Sequence, residues 1–132
     1  MGLSTHVLDT MHGSPAAGME VALFTTDGTG EDARATLVRR FTLNADGRSD
    51  GPLYDNSTLK TGTYRLTFDI GSFHREQGLS VSFFPEVKIT FNVRDPDEHF
   101  HLPLLLSPFG YSTYRGSAHI PPPEAVNLSD DV

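Results

Sequence analysis

Residues 83–117 read FFPEVKITFNVRDPDEHFHLPLLLSPFGYSTYRGS, and the hydrophobic rhythm of this stretch decides the fold. From Pro85 to Val93 the alternation is strict. Val87, Ile89, Phe91 and Val93 point one way, and Glu86, Lys88, Thr90 and Asn92 the other. Period two marks a strand with one buried face. Arg94-Asp-Pro-Asp-Glu98 reads as a turn, because Asp and Pro form turns and Pro cannot donate to a ladder. A second strand is predicted from His99 to about Ser107, with Phe100, Leu102, Leu104 and Leu106 on its apolar face and His99, His101, Pro103 and Leu105 on the other. Pro108 to Gly110 break the run, and Tyr111 to Ser117 reads as a third, polar strand.

Toward the N-terminus the same reading gives five more strands. Leu3–Asp9 places Leu3, Thr5 and Val7 on one side and Ser4, His6 and Leu8 on the other. His12-Gly-Ser-Pro15 reads as a turn. Further strands are predicted at about Met19–Thr26, at Ala35–Leu43 with Leu37, Phe41 and Leu43 on one face, as a short piece near Leu53–Tyr54, and from Thr61-Gly62 through Ile70. Asp27-Gly-Thr-Gly30 lacks the spacing of a phosphate-cradling loop and reads as a plain turn. Asn44-Ala-Asp-Gly47 is another turn, with Arg48 directly after it. One segment breaks the β rhythm. Residues 72–78, with Ser72 suited to an N-cap and Gly78 to a stop, predict a short helix. Short strands separated by Gly, Pro and Asp turns predict an all-β sandwich.

Bulk properties narrow the function. At 132 residues one domain is expected, covering residues 1–117, with a Pro-rich, acidic and flexible tail at 118–132 that holds Pro121, Pro122 and Pro123. The formal net charge of −7 argues against a nucleic-acid partner and against an anionic membrane surface. No apolar run approaches a membrane span, and the N-terminus lacks the basic-then-apolar layout of a signal peptide. The absence of cysteine rules out disulfides and thiolate metal sites, and it fits a reducing cytoplasm.

The segments FFPEV, DPDEHFHLPLLLSPFGYST and Tyr114-Arg115-Gly116-Ser117 closely resemble the transthyretin-like family and, within it, the 5-hydroxyisourate hydrolases. LSTHVLDTMHGSPA (Leu3–Ala16) and Asp46-Gly47-Arg48 extend the resemblance over nearly the whole chain to Ser117. It implies a transthyretin-like sandwich of two four-stranded sheets with one short helix, assembled as a homotetramer, a dimer of dimers. It also implies opening of the N1–C6 bond of 5-hydroxyisourate by water, giving 2-oxo-4-hydroxy-4-carboxy-5-ureidoimidazoline in urate breakdown. The YRGS ending sets the hydrolases apart from the hormone-carrying transthyretins. The alternative is a non-catalytic carrier of a small aromatic ligand in the inter-subunit channel. A purely structural or adhesive sandwich has no need of a polar, His-bearing strand face. The tail at 118–132 departs from the family pattern, in which the chain ends at or just after YRGS.

Taken alone, His6 and His101 are rim histidines on strand faces, and Arg48 is a solvated charge after a turn. The resemblance implies otherwise: positions matching His6, Arg48, His101, Tyr114 and Ser117 line the hydrolases' active site. The chemistry suits them. Water is a weak nucleophile at neutral pH, and unperturbed imidazole is a base near pH 7. A guanidinium supplies fixed donors to a carbonyl oxygen that gains negative charge. Water activation is assigned to His101, orientation or proton transfer to His6 (the reverse assignment staying open), and electrostatic clamping to Arg48. Tyr114 and Ser117 hydrogen-bond the ring edges or hold the water. His99-x-His101, with Asp95, Asp97 and Glu98 upstream, has the look of a metal set, but the spacing places no third ligand, and neither metal nor other cofactor is expected. Ser107 and Ser112 lie outside any nucleophile-elbow pattern. His99 reads as a rim residue, and His12 and His74 as solvated.

Overall fold

The computed structural model describes residues 2–28, 30, 32–53, 59–80 and 82–116. Eight strands and one helix follow in the order β1 (Leu3–Asp9), β2 (Ser14–Pro15), β3 (Glu20–Thr26), β4 (Ala35–Thr42), β5 (Gly62–Asp69), α1 (Ile70–Glu76), β6 (Glu86–Val93), β7 (Phe100–Ser107) and β8 (Gly110–Thr113). They form two four-stranded sheets, β2-β1-β7-β8 and β4-β3-β5-β6. All pairs are antiparallel except β1 with β7, which run parallel from Leu3↔Phe100 to Asp9↔Leu106. The predicted β-sandwich is therefore what the chain forms.

Alternation explains the packing. In β1, Leu3, Thr5, Val7 and Asp9 are buried while Ser4, His6 and Leu8 are half-buried. In β7, Phe100, Leu102, Leu104 and Leu106 are buried. These faces meet Val21, Leu23, Leu66, Phe68, Val87 and Val93 from the other sheet in one continuous core. Removing such apolar surface from water is worth roughly 25 cal/mol per Å², so the inward faces fix the register, and the outward faces follow from it. No helix among the described residues is long and apolar enough to cross a membrane.

Several expectations need correction. The eighth strand is Ser14–Pro15, inside the expected turn, where it pairs with Leu8 and Asp9. Leu53 lies outside any strand, and Tyr54 lies outside the described residues. The polar strand of residues 111–117 is shorter, ending at Thr113. The helix begins at Ile70 rather than Ser72, because the Asp69 carboxylate caps it by accepting from the Ser72 amide. Leu37, grouped by the alternation with Phe41 and Leu43, is 43% exposed and does not share their burial: it lies on edge strand β4, where the pairing register shifts at Leu23/Phe24. His74 is fully buried rather than solvated. The tail at 118–132 lies outside the described residues.

Candidate active site

The outer face of the β2-β1-β7-β8 sheet carries the histidines. Parallel register sets Ser4 beside His101 and His6 beside Pro103, with side chains of paired residues on the same face. His6 and His101 are thus diagonal neighbours on adjacent strands, roughly 8 Å apart at Cα from standard strand spacing and rise. Arg48 arrives from the other side of β1 through an isolated antiparallel bridge, His6↔Arg48. The turn before it is locally determined. The Asn44 side-chain oxygen accepts from the amides of Asp46 (2.9 Å) and Arg48 (3.1 Å), and the Asn44 amide donates to the Arg48 carbonyl (2.8 Å). Gly47 is required here: it has φ +75°, and an added Cβ would stand 2.6 Å from the Val7 carbonyl oxygen. The close approach lets the Val7 amide donate to the Gly47 carbonyl at 2.9 Å, tying Arg48 to β1.

His101 is held on three sides. Its Nδ1 lies 2.8 Å from the Ser4 hydroxyl. Its ring stacks on His99, with centroids 6.4 Å apart and planes within 10°. The Gly116 amide donates to the His101 carbonyl at 2.7 Å. A Cβ at Gly116 would meet His101 Cδ2 at 2.6 Å, so only glycine leaves room for the ring. Burial lowers the pKa of His101, and the charges of Arg48, His99 and His6 lower it further. Burial and then Arg48 lower that of His6, while Asp46 works the other way. Both imidazoles are neutral at pH 7, the form in which one ring nitrogen can accept a proton.

The structure therefore gathers three of the five expected residues, His6, Arg48 and His101, on one sheet face. Tyr114 follows β8 and is 37% exposed. It lines a cavity of about 300 Å³ at the open edge of the sandwich, together with His101, Ile89, Phe91, Phe100 and Arg115. His101 is thus common to the His face and the cavity, whereas His6 and Arg48 do not line the cavity. Ser117 lies outside the described residues. Ser4 and Gly116 were not among the residues expected at the site. Glycine at the third position of YRGS was the one available signal, and Ser4 becomes visible only through the β1–β7 register.

The fold and the histidine-bearing face define a two-sheet sandwich of the transthyretin type. A family model described as "HIUase/Transthyretin family" matches residues 3–116, and the chain belongs to that family. It is similar to 5-hydroxyisourate hydrolase 2 of Rhizobium meliloti (strain 1021), 48% identical over 118 residues that cover 87% of this chain and 95% of that protein. Among solved structures it resembles the 5-hydroxyisourate hydrolase of Klebsiella pneumoniae, with 37% identity, a TM-score of 0.65 and coverage of 87% and 92% of the two chains. It also resembles an (S)-allantoin synthase, with 37% identity and a TM-score of 0.78 over 88% of this chain, but spans only 43% of that protein.

Proposed function

We propose that this chain is a 5-hydroxyisourate hydrolase, opening the N1–C6 bond of its substrate without a metal or organic cofactor. The observation that carries the reading is the meeting of His101, His6 and Arg48 on one sheet face, both imidazoles neutral beside a guanidinium. The printed names of the relatives support the substrate.

His101, its Nδ1 engaged by Ser4, takes a proton from water at Nε2. The hydroxide adds to C6, and the carbonyl oxygen gains negative charge opposite the Arg48 guanidinium. Collapse of the adduct breaks the N1–C6 bond. The departing nitrogen receives a proton from the imidazolium or through His6, and C6 becomes the product's carboxylate. Overall one water is consumed and nothing is oxidised. Tyr114 and Ser117 act on the substrate's polar edges.

The chain acts as a homotetramer, a dimer of dimers, in the cytoplasm. Two kinds of unpartnered surface support the assembly. Among the described residues strands β6 and β8 are sheet edges, and residues of both line the cavity. Phe83 and Phe109 are 66% and 70% exposed, and the Phe83 amide donates to the Pro108 carbonyl at 2.9 Å, which joins the backbones of the two segments that carry them. Two different self-complementary contacts generate a closed dimer of dimers.

The test is to generate 5-hydroxyisourate freshly from urate with a urate oxidase, add the chain, and follow absorbance and circular dichroism. Decay well above the spontaneous rate, to a single product enantiomer, is expected. Decay at the spontaneous rate with folded protein present contradicts the reading and points to a carrier.

A further inference from the structure

The register that joins β8 to β7 pairs Leu104 with Thr113 and Leu105 with Ser112. Carried past Thr113, it sets Arg115 beside Leu102 and Gly116 beside His101. The Gly116 amide, which donates to the His101 carbonyl at 2.7 Å, keeps to that register. Side chains alternate along such a ladder, so Arg115 and Gly116 meet opposite faces of β7. Gly116 lies against the His101 ring on the outward face, where an added Cβ would stand 2.6 Å from Cδ2. Arg115 turns to the inward face, where Phe100 and Leu102 are buried. Its guanidinium carbon stands 4.6 Å from the centroid of the Phe100 ring. The same group reaches past the start of β7. Its Nη2 lies 3.5 Å from Glu98 Oε1 and 3.4 Å from the His99 carbonyl oxygen.

Each contact is weak by itself. The Arg115 and Glu98 side chains are 43% and 25% exposed, and an ion pair within reach of water adds little to global stability. Their value is directional. An aromatic face attracts a cation over its centre, and a planar guanidinium sends its donors in fixed directions. The ring, the carboxylate and the carbonyl therefore fix one side chain against one short stretch of β7. The next residue is Gly116, which has no side chain to anchor itself. Arg115 is the anchor on one face, and the His101 ring is what the anchored backbone touches on the other.

We infer that Arg115 is a positioning residue for the hydrolysis: by clasping Phe100, Glu98 and the His99 carbonyl on the inward side of β7, it holds Gly116 against the His101 ring on the outward side. The inference rests on the proposed role of His101 as base. It also divides the work of two arginines. Arg48 joins the outward face through its bridge to His6. Arg115, although part of the YRGS ending, is committed to Phe100 on the far side of the strand and does not bind substrate.

The experiment compares two variants of the full chain. Arg115→Met keeps the stem and loses the charge and donors, and Arg115→Lys keeps a cation for Phe100 and Glu98. Arg115→Met should lower kcat roughly 10-fold with KM little changed, since a misplaced ring slows the step without weakening binding. Arg115→Lys should recover most of that loss. In nitrogen-15 NMR of the chain labelled at histidine, with His101→Asn and His74→Asn assigning the signals, Arg115→Met should displace those of His101 and leave those of His74 in place. Thermal unfolding should be unchanged. If Arg115→Met unfolds early, Glu98→Gln opens the clasp from its other end and is read by the same kcat and NMR criteria. A KM that rises with kcat unchanged would make Arg115 a substrate-binding cation and overturn the inference. Wild-type kcat together with unmoved His101 signals in Arg115→Met would overturn it as well. If the wild-type chain does not hydrolyse 5-hydroxyisourate, the proposed function fails, and the NMR comparison still decides whether Arg115 sets the His101 ring.

Discussion

Two histidines in this molecule make the same bond and have opposite fates. His101 Nδ1 lies 2.8 Å from Ser4 Oγ, and His74 Nδ1 lies 2.9 Å from Ser82 Oγ. Burial lowers the pKa of both. His74 sits in α1, fully buried beside Phe73, and its Nε2 is enclosed with no partner among the described residues. His101 sits on the outward face of β7, half-buried, with Arg48 and His6 close enough to act on its charge. Desolvation and a serine partner are therefore common to a packed side chain and a candidate base. What separates them in the structure is an outward-facing, half-buried ring and the charge of Arg48 acting on it.

The comparison breaks most sharply at Gly116. Gly116→Ala drives a methyl group into the His101 ring, where the contact distance would be 2.6 Å. Turnover should fall by about 100-fold in the hydrolysis assay, because an error of about 1 Å in a reacting group costs that much, while thermal unfolding moves little. A normal rate would mean that the ring's position is immaterial.

Arg48→Met tests the electrostatic half of the contrast. It removes a positive charge that lowers the pKa of His101 and His6, so the acid limb of the kcat/KM profile should move to higher pH. The rate at the optimum should also fall, since the clamp is gone. An acid limb that stays in place would place Arg48 too far away to matter.

His74 sharpens the comparison from the other side. Its folded pKa is lowered from 6.5, so below that value the unfolded chain binds more protons than the folded one. The stability it contributes is complete above pH 6.5 and is lost as pH falls through the folded pKa. His6, His99 and His101 act with the same sign. His74→Gln should flatten the acid loss of stability in urea titrations and cost about 1–3 kcal/mol at neutral pH, leaving kcat near wild type. A large fall in kcat would end the distinction between the two histidines. The smallest effect belongs to the tail: a chain ending at Ser117 should unfold at the same temperature as the full chain. A clear loss of stability or of assembly would show that residues 118–132 pack.

Much of this was legible in the sequence, for a physical reason. Strands with one buried face announce themselves by period two, so β1 was read to the residue and β6 and β7 to within one. The outward placing of His6 and His101 came with that reading. β2 was not legible, because two residues carry no period and its pairing depends on where β1 lies. Leu37 was grouped with the buried Phe41 and Leu43 because alternation read along an edge strand does not reveal a register shift. His74 was misread because a polar side chain in a short helix looks solvated until the packing around α1 is known. Arg48 could be ranked as a candidate through the family resemblance, but its bridge to His6 and the approach allowed by Gly47 are tertiary facts. Ser4 and His101 are 97 residues apart, and their contact exists only in the parallel register.

The most direct test of the central claim is the rate of 5-hydroxyisourate decay with His101→Asn measured beside His74→Asn, both variants first shown to be folded. We predict that His101→Asn loses about 10²- to 10⁴-fold in kcat, the usual contribution of a positioned base, while His74→Asn keeps nearly full turnover. Near-normal turnover by His101→Asn would contradict the account.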